Sequence, residues 1–170
     1  MIPNTLRLIH VIRTQYIPMH LLLGIGNDLL GDDGIGPYIA DNLIHPDWIT
    51  INAGIVPENF IGPVKKQNPD RIVIVDAVEM GLSPGAIRLI PPDFISDCGI
   101  GTHQLSLTVI VNQLQSLCPD VMLIGIQPDS LNPDTALTDS VREAAEYLLK
   151  VISTNSLRNI KVFRNEEKKE

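Results

Sequence analysis

Between positions 21 and 37 the chain reads LLLGIGNDLLGDDGIGP, with Asp28, Asp32 and Asp33 close together and no lysine or arginine among them. A further aspartate, Asp76, closes the apolar run RIVIVDA (71–77), and His103 lies in GTHQLSL (101–107). Two carboxylates and an imidazole make an open site for a transition-metal ion, and carboxylates also serve as general bases. A glycine-rich loop between a strand and a helix more often cradles a phosphate, but both phosphate motifs fail here. In the dinucleotide pattern begun by Gly24 and Gly26, the third glycine falls on Leu29, too bulky for close helix packing. The P-loop spacing of Gly26 and Gly31 leads into Asp32 and Asp33, where a lysine and a hydroxyl residue are needed. Two acids at that place repel a phosphate and attract a cation.

Each residue also has a plainer reading. Asp32 or Asp33 could cap the helix that starts near Pro37. His103 could be an ordinary loop or capping residue, Glu79 a solvated surface acid, and Cys98 buried packing or a soft ligand. Asp76 resists a plain reading most, since a carboxylate behind an apolar strand is costly to desolvate unless it is paired.

The elements that must position these groups alternate strand and helix, which predicts an α/β fold: a single three-layer domain with a mostly parallel twisted sheet of about five strands and helices on both faces. His20–Ile25, Arg71–Ala77 and Val121–Ile126 are continuous apolar runs, expected of parallel strands buried on both faces. Trp48–Ala53 reads as another strand, and Ala86–Ile90 as a short strand that could pair antiparallel at a sheet edge. Ile35, Ile39, Ala40, Leu43 and Ile44 mark a helical stripe stopped by Pro46. Residues 57–67 read as partly helical, with Gly62-Pro63 breaking or restarting the helix. Leu107, Ile110, Val111, Leu114 and Leu117 predict a helix ending before Pro119. Ser140-x-x-Glu143 has the form of a capping box, opening a helix that buries Val141, Ala144, Ala145, Leu148 and Ile152.

Residues 19–152 are expected to form the domain and 153–170 a polar tail, its end from Arg164 charged and disordered. Residues 1–18 are an extension, either genuine or the product of a misassigned start before Met19. A net charge of −7 argues against nonspecific nucleic-acid binding. No apolar run reaches the length of a membrane span. Two cysteines, Cys98 and Cys118, form no CxxC motif and suit a reducing compartment, so a cytoplasmic protein is expected. No heptad seam or interface strip is visible, and monomer is the default.

Taken together, GIGNDLLGDDGIGP, IVIVDAVEMGLSPG, GTHQLSL and LIGIQP resemble, in family order, the hydrogenase maturation proteases, over about residues 19–152. G-N-x-x-x-G-D-D-G, V-D-A-x-x-M-G-x-x-P-G and G-I-Q-P-D are most similar to the branch serving formate-hydrogenlyase-type hydrogenases. The resemblance implies an endopeptidase that trims the C-terminus of the precursor large subunit of a nickel-iron hydrogenase after nickel insertion. It places three nickel-interacting residues on Asp33, Asp76 and His103, with the nickel contributed by the substrate. Asp32 remains a reserve candidate for a general base, for no Ser-His-Asp arrangement, G-x-S-x-G or H-E-x-x-H is present. Some family members carry Glu at the position of Asp33, and Ile61-Gly62-Pro63 interrupts a more regular helix.

Two other classes compete. A phosphoryl-receiver domain also pairs acids after its first strand with an aspartate ending the third, but it wants a lysine after the fifth, where this chain has Gln127-Pro128. A nonproteolytic hydrogenase-assembly partner would keep the fold and lose the cleavage.

Overall fold

A computed structural model of the chain describes residues 18–95 and 104–167. Residues 1–17 of the expected extension, Cys98 and His103 lie outside the described residues. Five strands, β1 (His20–Ile25), β2 (Trp48–Gly54), β3 (Arg71–Ala77), β4 (Ile87–Ile90) and β5 (Val121–Ile126), form one sheet in the order β2-β1-β3-β5-β4. β1, β2, β3 and β5 are parallel, and β4 runs antiparallel to β5 at the edge. The helices are α1 (Ile35–Asn42), α2 (Ile61–Gln67), α3 (Gln104–Leu117) and α4 (Asp139–Ser153).

Successive strand side chains point to opposite faces, and here both faces are covered. Leu21, Leu23, Ile72 and Ile74 join Val64 of α2 and Leu107, Ile110 and Leu114 of α3 in one core. Leu22, Val73, Val75 and Ile124 join Ile35 and Ile39 of α1 and Val141, Ala145 and Leu148 of α4 in the other. Double-sided burial is why these strands read as unbroken apolar runs rather than alternating ones. Truncating one such residue, as in Leu22→Ala, should cost about 2–5 kcal/mol.

Three local expectations change. Ile44, placed on the buried stripe of α1, is 93% exposed, because the helix ends at Asn42 and Leu43 turns into extended backbone. Gly62-Pro63 does not break α2: a 3-10 turn at Pro57–Phe60 runs into it, and Pro63 stands in its first turn, where a missing N–H costs nothing. The segment after α4, read as a polar tail, is packed. Leu157, Ile160 and Phe163 are buried, and Phe163 meets Phe94 edge-on at 5.9 Å between centroids. Val162 bridges Leu89 in parallel, Leu89 N–H donates to Lys161 O and Phe163 N–H to Leu89 O, both at 2.9 Å. Beyond it, Glu167 pairs with Arg88 at 2.7 Å. This strap covers the edge of β4, which would otherwise present unpaired backbone groups.

Candidate functional site

Four parallel strands deliver their loops to one edge of the sheet: 26–34 after β1, 54–60 after β2, 77–86 after β3 and 127–138 after β5. Open α/β sheets bind ligands at this carboxyl edge. Hydrogen bonds tie the loops together, among them Gly26 N–H to Gly54 O at 3.0 Å and Gly85 N–H to Gln127 O at 2.9 Å. The glycines serve close packing rather than a phosphate. A Cβ on Gly36 would lie 2.1 Å from Ile25 O and 2.5 Å from Val75 O, so the first turn of α1 rests directly on β1 and β3. Gly26 has φ +136°, and a Cβ there would lie 1.9 Å from Asp33 O. Only glycine tolerates both that dihedral and that contact, and the loop therefore folds back on itself and sets Asp33 beside the end of β3.

Asp33 is half-buried in a 3-10 turn, Gly31–Gly34, and its Oδ2 accepts Asn27 N–H at 2.8 Å. It does not cap α1, whose N-terminal residue makes no side-chain capping bond. Asp76, opposite Gly125 of β5, is 4% exposed. Burial first, and then the negative charge of Asp33, hold its carboxyl well above the usual carboxylate range, against a smaller downward pull from the Ala77 N–H. Two acids close enough to repel, one of them desolvated, form a cation-receptive pair: a divalent ion meeting both would offset the repulsion and the cost of burying charge.

Asp32 has a different task from its neighbour. It is fully buried, and its Oδ2 accepts Asp129 N–H at 2.8 Å, Ser130 N–H at 2.9 Å and the Thr138 hydroxyl at 2.9 Å, while Oδ1 accepts Thr138 N–H at 2.7 Å. With both oxygens engaged and no exposure to solvent, Asp32 is unsuited to be the reserve general base; it clamps the 127–138 loop onto the 26–34 loop. The expected capping box is not formed, because α4 begins at Asp139 and Ser140 lies inside its first turn. The residue before α4 is Thr138, which makes no capping bond to the helix, because its hydroxyl is spent on Asp32.

Gln127 is the residue whose weight the sequence did not reveal. It is 4% exposed; its Oε1 accepts Met80 N–H at 2.8 Å and Leu82 N–H at 3.2 Å, and its Nε2 donates to Glu79 Oε2 at 3.0 Å and Pro128 O at 3.1 Å. Glu79, read as merely solvated, is exposed but also accepts Gly81 N–H at 2.9 Å. Gln127 thereby pins the loop that follows Asp76. The available signal was a neutral, multivalent side chain closing a strand buried on both faces.

A cleft of about 310 Å³ opens between the 26–34 loop, α1 and the start of α4, with Asp28, Tyr38, Asp41 and Arg142 in its wall; it is lined by neither Asp33 nor Asp76. Among the described residues no three His, Cys, Asp or Glu side chains cluster as a metal-ion site. Asp33 and Asp76 are brought together at the sheet edge; His103, the third predicted ligand, lies outside the described residues.

Comparison with known proteins agrees with this architecture. The family model described as hydrogenase maturation protease matches residues 37–155, beginning just past Asp33. The chain is similar to the hydrogenase 3 maturation protease of Escherichia coli K12, 38% identical over 130 residues that cover 74% of this chain and 83% of that protein. Its fold is similar to a crystal structure of a hydrogenase 3 maturation protease, with a TM-score of 0.78 and 32% identity over 86% of this chain and 97% of the other. It is also similar to the nickel-iron hydrogenase maturation protease HycI of Thermococcus kodakarensis, with a TM-score of 0.71 and 30% identity over 83% and 93% of the two chains.

Proposed function

Because the chain belongs to the hydrogenase maturation protease family, we propose that it is the endopeptidase that removes the C-terminal extension of the nickel-loaded precursor large subunit of a nickel-iron hydrogenase. In this reading the nickel is part of the substrate, already held by the precursor. Asp33, Asp76 and His103 complete or probe its coordination, so trimming becomes conditional on correct metal loading. The protein acts in the cytoplasm as a monomer. The observation that carries the reading is the Asp33–Asp76 pair: a desolvated acid at a parallel-strand end, pressed by a second acid from the neighbouring loop.

The chain's own groups suggest a division of labour. Asp76 and Asp33 present oxygen ligands of the kind that suit a divalent ion. Asp32 and Gln127 engage no substrate; they hold the loops on either side of the pair. The scissile peptide lies near the metal, where its carbonyl can be polarised by the ion or attacked by a water that a carboxylate deprotonates. No helix among the described residues is long and apolar enough to cross a membrane.

The test is direct. Nickel-loaded precursor incubated with the purified protein should lose mass at its C-terminus, while metal-free precursor should not. Asp33→Asn, Asp76→Asn and His103→Ala should each abolish that loss with the fold intact by circular dichroism. Normal trimming by two of the three variants would overturn the site assignment.

A further inference from the structure

The loops around the Asp33–Asp76 pair share a property that the pair itself does not require. Residues 26–34, 54–60, 77–86 and 127–138 contain no lysine or arginine. On these loops Asp28, Glu58, Glu79, Asp129 and Asp134 are all exposed. The same loops hold Leu29 (63% exposed), Ile55 (49%), Val56 (40%) and Leu131 (49%), half of the exposed large apolar side chains among the described residues. At the opposite edge stand Lys65 and Lys66 closing α2, Arg71 opening β3 and Lys150 in the last turn of α4.

Exposed leucine and isoleucine are unremarkable one at a time, but apolar groups concentrated on one face among predominantly acidic side chains mark a protein-binding surface; Arg142, which donates to Leu137 O, and Arg88 and Lys161 beside Gly85 stand at its margin. The loops are cross-linked by the Asp32 and Gln127 hydrogen bonds, so the face is pre-organised and loses little freedom on binding. Its charge also selects the partner. A second copy of this chain would bring acid against acid, and a cationic surface with apolar contacts is the complement.

We propose that this carboxyl-edge face, centred on Leu29, Ile55, Val56 and Leu131, is the docking surface for the folded precursor, which presents a basic patch with apolar contacts around its metal. The inference rests on the reading above, and it assigns recognition to the protein surface as well as to the metal. The predominantly negative field of these loops steers the precursor toward the carboxylates and speeds encounter.

The experiment uses full-length protein and nickel-loaded precursor, reading binding by calorimetry and trimming by C-terminal mass loss. A charge-reversed protein, Asp28→Lys/Glu58→Lys/Asp129→Lys, should raise KM about tenfold or more with kcat within about twofold, and should lose the wild type's sensitivity to salt. Leu29→Ser/Leu131→Ser, which leaves charge untouched, should raise KM as well. Lys65→Glu/Lys66→Glu, on the far edge, should leave both constants unchanged. A folded charge-reversed protein that trims with wild-type KM and salt dependence overturns the docking surface and leaves the peptidase reading standing. Wild-type protein that binds precursor without trimming it, with binding lost on charge reversal, supports the surface and overturns the peptidase reading. A wild-type dimer that charge reversal disperses would assign the face to self-association and overturn the proposal.

Discussion

Replacing Asp32 by asparagine removes one acceptor while keeping the side chain's shape, which makes it a sharp probe of the clamp between the two loops. The amide oxygen can take the place of Oδ2 and keep the Asp129 and Ser130 N–H groups and the Thr138 hydroxyl; the amide nitrogen then faces the Thr138 N–H, which now lies 2.7 Å from Oδ1. One hydrogen bond to a charged group is lost, worth about 1.5–3 kcal/mol, and a buried donor goes unpaired at a cost of about 1–3 kcal/mol that partly overlaps the first. The expected destabilisation is about 3 kcal/mol, which for a chain of this size lowers the melting temperature by about 6–12 °C. Asp32→Ala leaves three buried N–H groups without an acceptor and should cost more. Asp33→Asn keeps an oxygen that can accept Asn27 N–H in a half-buried site and relieves repulsion on Asp76, and should change stability by no more than about 1 kcal/mol. Thermal denaturation followed by circular dichroism measures all three. An Asp32→Asn protein melting within about 2 °C of wild type, or an Asp33→Asn protein less stable than it, would refute this division of roles.

Asp76→Asn should be more stable than wild type at neutral pH while inactive. The raised carboxyl binds more protons in the folded than in the unfolded state, so wild-type stability falls as pH rises from the ordinary carboxylate range through the raised folded-state value; in denaturant titrations the variant's advantage should vanish in acid. Gln127→Leu leaves both the Met80 and the Leu82 N–H without the amide oxygen they share, and should cost about 2–4 kcal/mol by the same measurement. Phe163→Ala empties a fully buried site under the C-terminal strap, with an expected loss of about 3–5 kcal/mol in chemical denaturation; a cost below about 1 kcal/mol would mean that the strap is not part of the core.

How much of this was legible in the chain depends on the range over which each feature is set. β1, β3 and β5 run over His20–Ile25, Arg71–Ala77 and Val121–Ile126, the limits their apolar runs predict, because burial on both faces leaves a local mark on every residue. The antiparallel edge strand was readable from the turn residues Ser83-Pro84-Gly85 before it, and the buried stripe of α4 from apolar residues at helical spacing. The aspartate pair was readable as chemistry, since acids in a glycine loop exclude phosphate wherever the loop sits.

Local pattern could not divide the labour within that pair. Asp32 and Asp33 are neighbours of one residue type, yet the partners of Asp32 lie 97, 98 and 106 positions away. The helix expected to open on a Ser140 capping box starts instead after Thr138, whose hydroxyl goes to one of those contacts, Gln127 acquired its weight from amides 45 and 47 positions away, and the strap at 157–163 looked polar because only three of its side chains turn inward. Composition and periodicity determined the layers, the strands and the sign of the charge at the sheet edge. Which carboxylate meets a ligand and which one ties two loops together was decided by tertiary structure, because a buried acid's task is set by the donors that folding brings to it.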